Sequence, residues 1–225
     1  MQKLPELAGM DLAALLCSRV CHDVISPVGA IANGIELIDE GSDAETSEIA
    51  MELIRSSATN ASAKLQFARI AFGAAGSAGA HIDTGDAESV AKSFFDTEKK
   101  SNIEWHGERA LMAKNRVKFL LNMVLVGLAA IPRGGLVKVE IEDPNGMPKF
   151  KITSSGINAR VPPAFLNLLN GTFEEAIDAH AIQPIYTLQL AESEEIDVTA
   201  KLSGEDVVFE ARVTKEPTGD NMIIS

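Results

Sequence analysis

The chain has 225 residues with a formal net charge of −12, enough for one large or two small domains. That acidity sets nucleic-acid binding aside, because affinity for a phosphate backbone comes from Lys and Arg. At 46% hydrophobic and 23% charged the composition is that of a globular protein, and with only 5% aromatics the core must be built mainly from Leu, Ile, Val, Ala and Met.

Residues 1–9 lack the basic start and apolar core of a signal peptide. From residue 10 to 40, apolar residues recur at Leu12, Leu16, Val20, Val24, Val28, Ile31, Ile35 and Ile38. Steps of three and four are the period of one helix face, and Asp11 is the expected N-cap. Glu40-Gly41-Ser42-Asp43 breaks the pattern, which resumes through Ile49, Leu53, Ile54, Leu65, Phe67 and Ile70. A short loop between two long helices makes them antiparallel neighbours, a helical hairpin. A hairpin cannot bury all its apolar surface, so a second copy completing a four-helix bundle is the expected remedy; the alternative is packing on the chain's own second half. The two cysteines, Cys17 and Cys21, are four apart rather than two, and read as reduced packing thiols of a cytoplasmic protein.

The small, glycine-rich run 73–80 reads as a linker between a hairpin domain, 1–76, and a second domain, 77–225. The second domain opens with a helix over 86–98 and a short strand at 102–105. An apolar helix over 115–131 follows, stopped by Pro132 and Gly134-Gly135. Its apolar stretch, Phe119 to Ile131, is too short for a bilayer of roughly 30 Å and reads as a buried helix. Residues 137–141 and 150–153 alternate with period two around the turn Pro144-Asn145-Gly146. Helical pieces at 163–169 and 181–192 lead to a closing hairpin, 196–202 and 207–213, around Ser203-Gly204. The fold class is α+β: an N-terminal antiparallel hairpin, then helices on one face of a small, mostly antiparallel sheet.

The chemistry concentrates at His22, in Arg19-Val20-Cys21-His22-Asp23-Val24-Ile25-Ser26-Pro27. At about 100° per residue His22 lies about 200° from Val20 and Val24, so it projects away from the apolar stripe. A neutral imidazole is a nucleophile near pH 7. The Asp23 carboxylate can accept the hydrogen of one ring nitrogen and free the other to attack phosphorus, while Arg19 or Lys64 steadies the phosphoryl charge. Pro27 has no N–H, which leaves the Asp23 carbonyl without its helical partner and should kink or loosen the helix there. His81, His106 and His180 read as ordinary surface histidines. No further ligand completes a metal site at His22, and no Ser or Cys nucleophile with a base and oxyanion hole is visible.

His22-Asp23-x-x-x-Pro27 on a hairpin, followed by an α+β domain, resembles the phosphotransfer hairpin and ATP-binding domain of sensor histidine kinases. The second domain departs from that pattern where ATP would bind. Asn122 occupies the first position of the kinase asparagine box, but the magnesium-holding asparagine four residues on is Val126, which offers no oxygen ligand. The adenine-contacting Asp-x-Gly-x-Gly motif falls near Thr153-Ser154-Ser155-Gly156-Ile157, without the aspartate. The later glycine-rich motif falls near Ala181 to Tyr186, without a glycine to admit phosphate to the backbone.

A kinase-type hairpin with a degenerate nucleotide domain resembles the ChpT-type histidine phosphotransferases of alphaproteobacteria. Cys21-His22-Asp23, Ile25-Ser26-Pro27 and residues 65–74 carry that likeness. The resemblance implies a homodimer in a two-component phosphorelay. His22 would receive a phosphoryl group from the receiver domain of a hybrid kinase (CckA-like) and pass it to CtrA-like and CpdR-like receivers in cell-cycle control. It implies no cofactor of the chain's own, the Mg²⁺ belonging to the receiver, and neither nucleic-acid nor membrane partners. An antiparallel hairpin brings residues 62–70 beside His22, so Lys64, Phe67 and Arg69 are candidates for docking a receiver, with Arg19 and Ser26 flanking the histidine. Ala30, Asn33 and Gly34 are small residues further along the outer side. Two other readings compete: an active kinase fragment that uses ATP, and a dimerisation scaffold without catalysis.

Overall fold

A computed structural model describes residues 4–41, 43–73, 81–174 and 176–215. Helices α1 (Gly9–Asp39) and α2 (Ala44–Ala71) form the antiparallel hairpin. Helix α1 runs unbroken through Pro27, which is buried, so the expected loosening after His22 does not interrupt it. Its N-cap is Ala8, without a side-chain cap, and Asp11 sits inside the first turn instead, where a carboxylate still favours the positive end of the helix dipole. Helix α2 starts at a true cap: the Asp43 carboxylate accepts the Thr46 backbone N–H at 2.8 Å, which holds its pKa below the ordinary aspartate value.

The two helices pack tightly at Gly34. A Cβ there would meet Ile54 Cγ1 at 2.7 Å and the Ala50 carbonyl at 3.2 Å. Gly34 is therefore a packing residue of the hairpin rather than part of an outer docking strip, which corrects the placement read from sequence. Gly34→Val should destabilise the protein by about 1–3 kcal/mol, because a β-branched Ile54 and a backbone carbonyl yield poorly to an inserted side chain. Thermal unfolding of the variant checks this.

The α+β expectation holds for the rest of the chain. Strands β1 (His81–Asp83) and β3 (Leu111–Ala113) pair antiparallel as a small separate sheet, which the sequence reading missed. Helix α3 (Thr84–Phe95) lies between β1 and strand β2 (Ser101–His106). Helix α4 (Lys114–Ala129) is followed by β4 (Gly135–Glu142) and β5 (Lys149–Ser155). Helices α5 (Pro163–Asn170) and α6 (Ile182–Ser193) precede the closing hairpin of β6 (Ile196–Ser203) and β7 (Asp206–Val213). The main sheet has the order β2-β4-β5-β7-β6, with β2 and β4 parallel and the other pairs antiparallel.

Helix α4 is apolar on nearly every side and is correspondingly buried, touching the sheet through β4 and β5 and also α2, α3 and α6. It lies so close to β5 that a Cβ at Gly127 would meet Ile152 Cγ2 at 2.8 Å, and the Ser154 hydroxyl donates to the Gly127 carbonyl at 2.8 Å. The hairpin joins this core through Phe67, Ile70 and Ala71 of α2. Most of the proposed linker, residues 74–80, and with it the 76/77 boundary, lies outside the described residues. Among the described helices, α1 alone is long and apolar enough by length and composition to cross a membrane.

Candidate functional site

One turn of α1 presents the functional cluster. Residues four apart on a helix face one another, and the Arg19 Nε–H donates to Asp23 Oδ2 at 3.0 Å. His22 stands beside this pair with 60% of its side-chain surface exposed, and its Nδ1 lies 3.7 Å from Asp23 Oδ1. That distance exceeds a hydrogen bond. Sequence neighbours on a helix diverge by about 100°, so Asp23 satisfies Arg19 rather than gripping the imidazole. The direct orienting bond expected from sequence is thus replaced by a nearby carboxylate already committed to an arginine.

The antiparallel hairpin brings α2 alongside as expected. Lys64 lines one cleft with Arg19 and Asp23, a cleft of about 350 Å³ bounded on the other side by α4 and the start of α6. Ser26, Asn33 and Arg69 are exposed and Ala30 is partly so. Phe67 is different: only 2% of it is exposed, and its ring packs 4.9 Å from that of Phe94 on α3. It belongs to the core between hairpin and second domain and offers nothing to a docking partner, because that side of α2 is already covered.

The sequence reading also missed a neighbour. The His180 ring lies edge-to-face against His22, with centroids 5.0 Å apart and planes at 78°. No local signal in the sequence marks this pairing, which arises from the docking of the second domain on the hairpin. A cue to the local structure was present in Asp178, whose carboxylate accepts the backbone N–H groups of His180 and Ala181 at 2.8 and 2.9 Å. Those bonds lower the Asp178 pKa and fix the turn that carries His180 into α6.

Gln183 of this cleft is bonded to Asn122, the residue on which the asparagine-box resemblance falls. Asn122 is fully buried, and its amide donates to the carbonyls of Ala71 at 3.0 Å and Lys118 at 2.9 Å. Gln183 on α6 donates in turn to the Asn122 carbonyl at 2.9 Å. Asn122 therefore ties the end of α2 to α4 and α6. Val126 forms an apolar wall of the cleft with Leu125, Leu128, Phe165 and Pro184 and offers no oxygen ligand there, although Asp23, Glu98 and Gln183 line the same cleft. Among the described residues, no group of three or more His, Cys, Asp or Glu is placed to hold a metal ion.

Residues 84–206 match the family model described as the histidine phosphotransferase C-terminal domain. The chain is also 57% identical over 206 residues to the protein phosphotransferase ChpT of Brucella abortus (strain 2308), covering 91% of this chain and 97% of that one. The chain belongs to the histidine phosphotransferase family. A solved structure titled as that of a bacterial phosphotransferase superposes on this histidine phosphotransferase with a TM-score of 0.86 at 54% identity, covering 93% of this chain and all of the other. The family places the chain in two-component phosphorelay signalling, and the hairpin and sheet domain are shared along nearly the whole phosphotransferase.

Proposed function

We propose that His22 is the phospho-acceptor of a relay, taking a phosphoryl group from the aspartyl phosphate of a CckA-like receiver and passing it to the aspartates of CtrA-like and CpdR-like receivers. The observation that carries this reading is the placement of an exposed imidazole on the outer face of α1, next to Arg19 and Asp23 and across the hairpin from Lys64.

In the forward step the ring nitrogen remote from Asp23 attacks phosphorus with its lone pair. A nitrogen–phosphorus bond forms as the phosphorus–oxygen bond of the acyl phosphate breaks, and the electron pair leaves on the receiver's carboxylate. The hydrogen stays on Nδ1, on the side of Asp23. Delivery to a second receiver reverses the sequence. Phosphoryl transfer depends chiefly on alignment and charge stabilisation, so the share of this chain is to present the ring, with Lys64 and the Arg19–Asp23 pair near the transferring group. The Mg²⁺ that the aspartate needs is supplied by the receiver.

The working unit is a homodimer in the cytoplasm. Met10, Ile25, Val28 and Ile35 on α1, with Ile49 and Leu53 on α2, are large apolar residues left exposed in the single chain. A patch of that kind marks an association surface, and a second hairpin would cover it in a four-helix bundle.

ATP has no part in this scheme. The apolar lining around Val126 and the use of Asn122 as an internal staple support that reading over an active kinase fragment. A ligand that binds only the folded state raises the melting temperature by mass action. Millimolar Mg²⁺-ATP should therefore leave the thermal unfolding of the full chain unchanged, and a clear upward shift would favour the kinase.

A further inference from the structure

We infer that His180 is a positioning residue for the phospho-acceptor, and that the docking of the second domain on the hairpin holds it there. The inference rests on His22 being the acceptor, as proposed above.

A histidine on a helix exterior has a broad, roughly two-fold χ2 torsion, so an exposed ring samples many orientations. His22 is open over most of its surface, and the contact that Asp23 makes with it is too long to be a hydrogen bond. The edge-to-face contact with His180 closes part of that torsional range and leaves the opposite side to an incoming receiver. Contacts of this geometry between rings are attractive beyond simple area burial.

The restraint works only if His180 is itself placed, and the structure fixes its backbone from two directions. Asp178 accepts the His180 and Ala181 backbone N–H groups, so the turn is set locally. Three residues further on, Gln183 donates to the Asn122 carbonyl and to the Thr187 hydroxyl, so α6 is fixed against α4. Asn122 donates to the carbonyl of Ala71 at the end of α2, which returns the chain of contacts to the hairpin. His22, His180, α6, Asn122 and α2 thus form a closed circuit. Asn122 helps to fix the angle at which the second domain meets the hairpin, and His180 is where that angle is felt by the reacting ring.

The test compares His180→Ala and His180→Phe in the full chain with two readouts. The first is carbethoxylation of His22 by diethyl pyrocarbonate, followed by mass spectrometry, which reports ring freedom without reference to phosphate. The second is single-turnover transfer from a phosphorylated receiver over a range of receiver concentrations. His180→Ala should speed modification of His22 and slow the maximal transfer rate by about tenfold, at unchanged half-saturation by receiver, because alignment rather than docking is lost. His180→Phe should restore both readouts, since an aromatic edge can still press on His22. Unchanged modification and transfer in His180→Ala would overturn the inference, as would faster transfer, which would make His180 a lid. Failure of the wild-type protein to accept phosphate from any receiver would sink the proposed function instead, and the modification rates would still decide whether His180 restrains His22.

Discussion

His22→Ala should abolish phosphoryl acceptance while leaving the fold and the dimer intact. The groups beside His22 are not placed as it is: Arg19 and Asp23 are paired with each other, and His180, its ring centroid 5.0 Å away, is carried by the turn before α6 rather than by α1. With 60% of its side chain exposed, His22 contributes little to packing, and surface substitutions of this kind usually stay within about 0.5 kcal/mol. Phosphopeptide mapping after incubation with a phosphorylated receiver, alongside light scattering and thermal unfolding, separates the two effects. Residual label on the variant would place the acceptor elsewhere.

Phe67→Ala should act in the opposite way, through stability. The ring is 2% exposed and packs against Phe94, where the hairpin meets the second domain. Truncating a buried Phe costs about 3–5 kcal/mol, through lost burial and the cavity left behind. For a chain of this size that is a fall in melting temperature on the order of 10 °C. Transfer measured well below that temperature should fall far less than in His22→Ala. If Phe67 were instead a docking residue, the melting temperature would hold and half-saturation by receiver would rise.

Periodicity reveals most of this fold. The two-residue alternation of β4, β5, β6 and β7 is dictated by which face meets the core, the threes and fours of α1 and α2 mark an apolar stripe that is still partly exposed at Val28, Ile35, Ile49 and Leu53, and all these elements lie where the patterns place them. What escaped is short or tertiary. Strands β1 and β3 have three residues each, too few for alternation to register. Gly34, twelve residues past His22, has rotated by about 120° around α1 and so points to α2 rather than along the outer side. The sequence offers Phe67 both as part of the apolar pattern and as a docking candidate, and what decides for the core is that α2 packs on α3 and α4 as well as on α1. The pairing of His22 with His180 depends on how two domains dock, which neither segment encodes locally. The position of Lys64 beside Arg19 and Asp23 was legible, because an antiparallel hairpin with a known turn fixes which residues oppose each other.

In the proposed relay the phosphoryl group reaches His22 from a receiver and not from ATP. The most direct measurement incubates the full chain in Mg²⁺ with labelled ATP alone, and in parallel with a receiver domain already phosphorylated on its aspartate. Label on His22 from the receiver only is the predicted result. Label on His22 from ATP alone would contradict it, making the second domain a working kinase domain despite Val126.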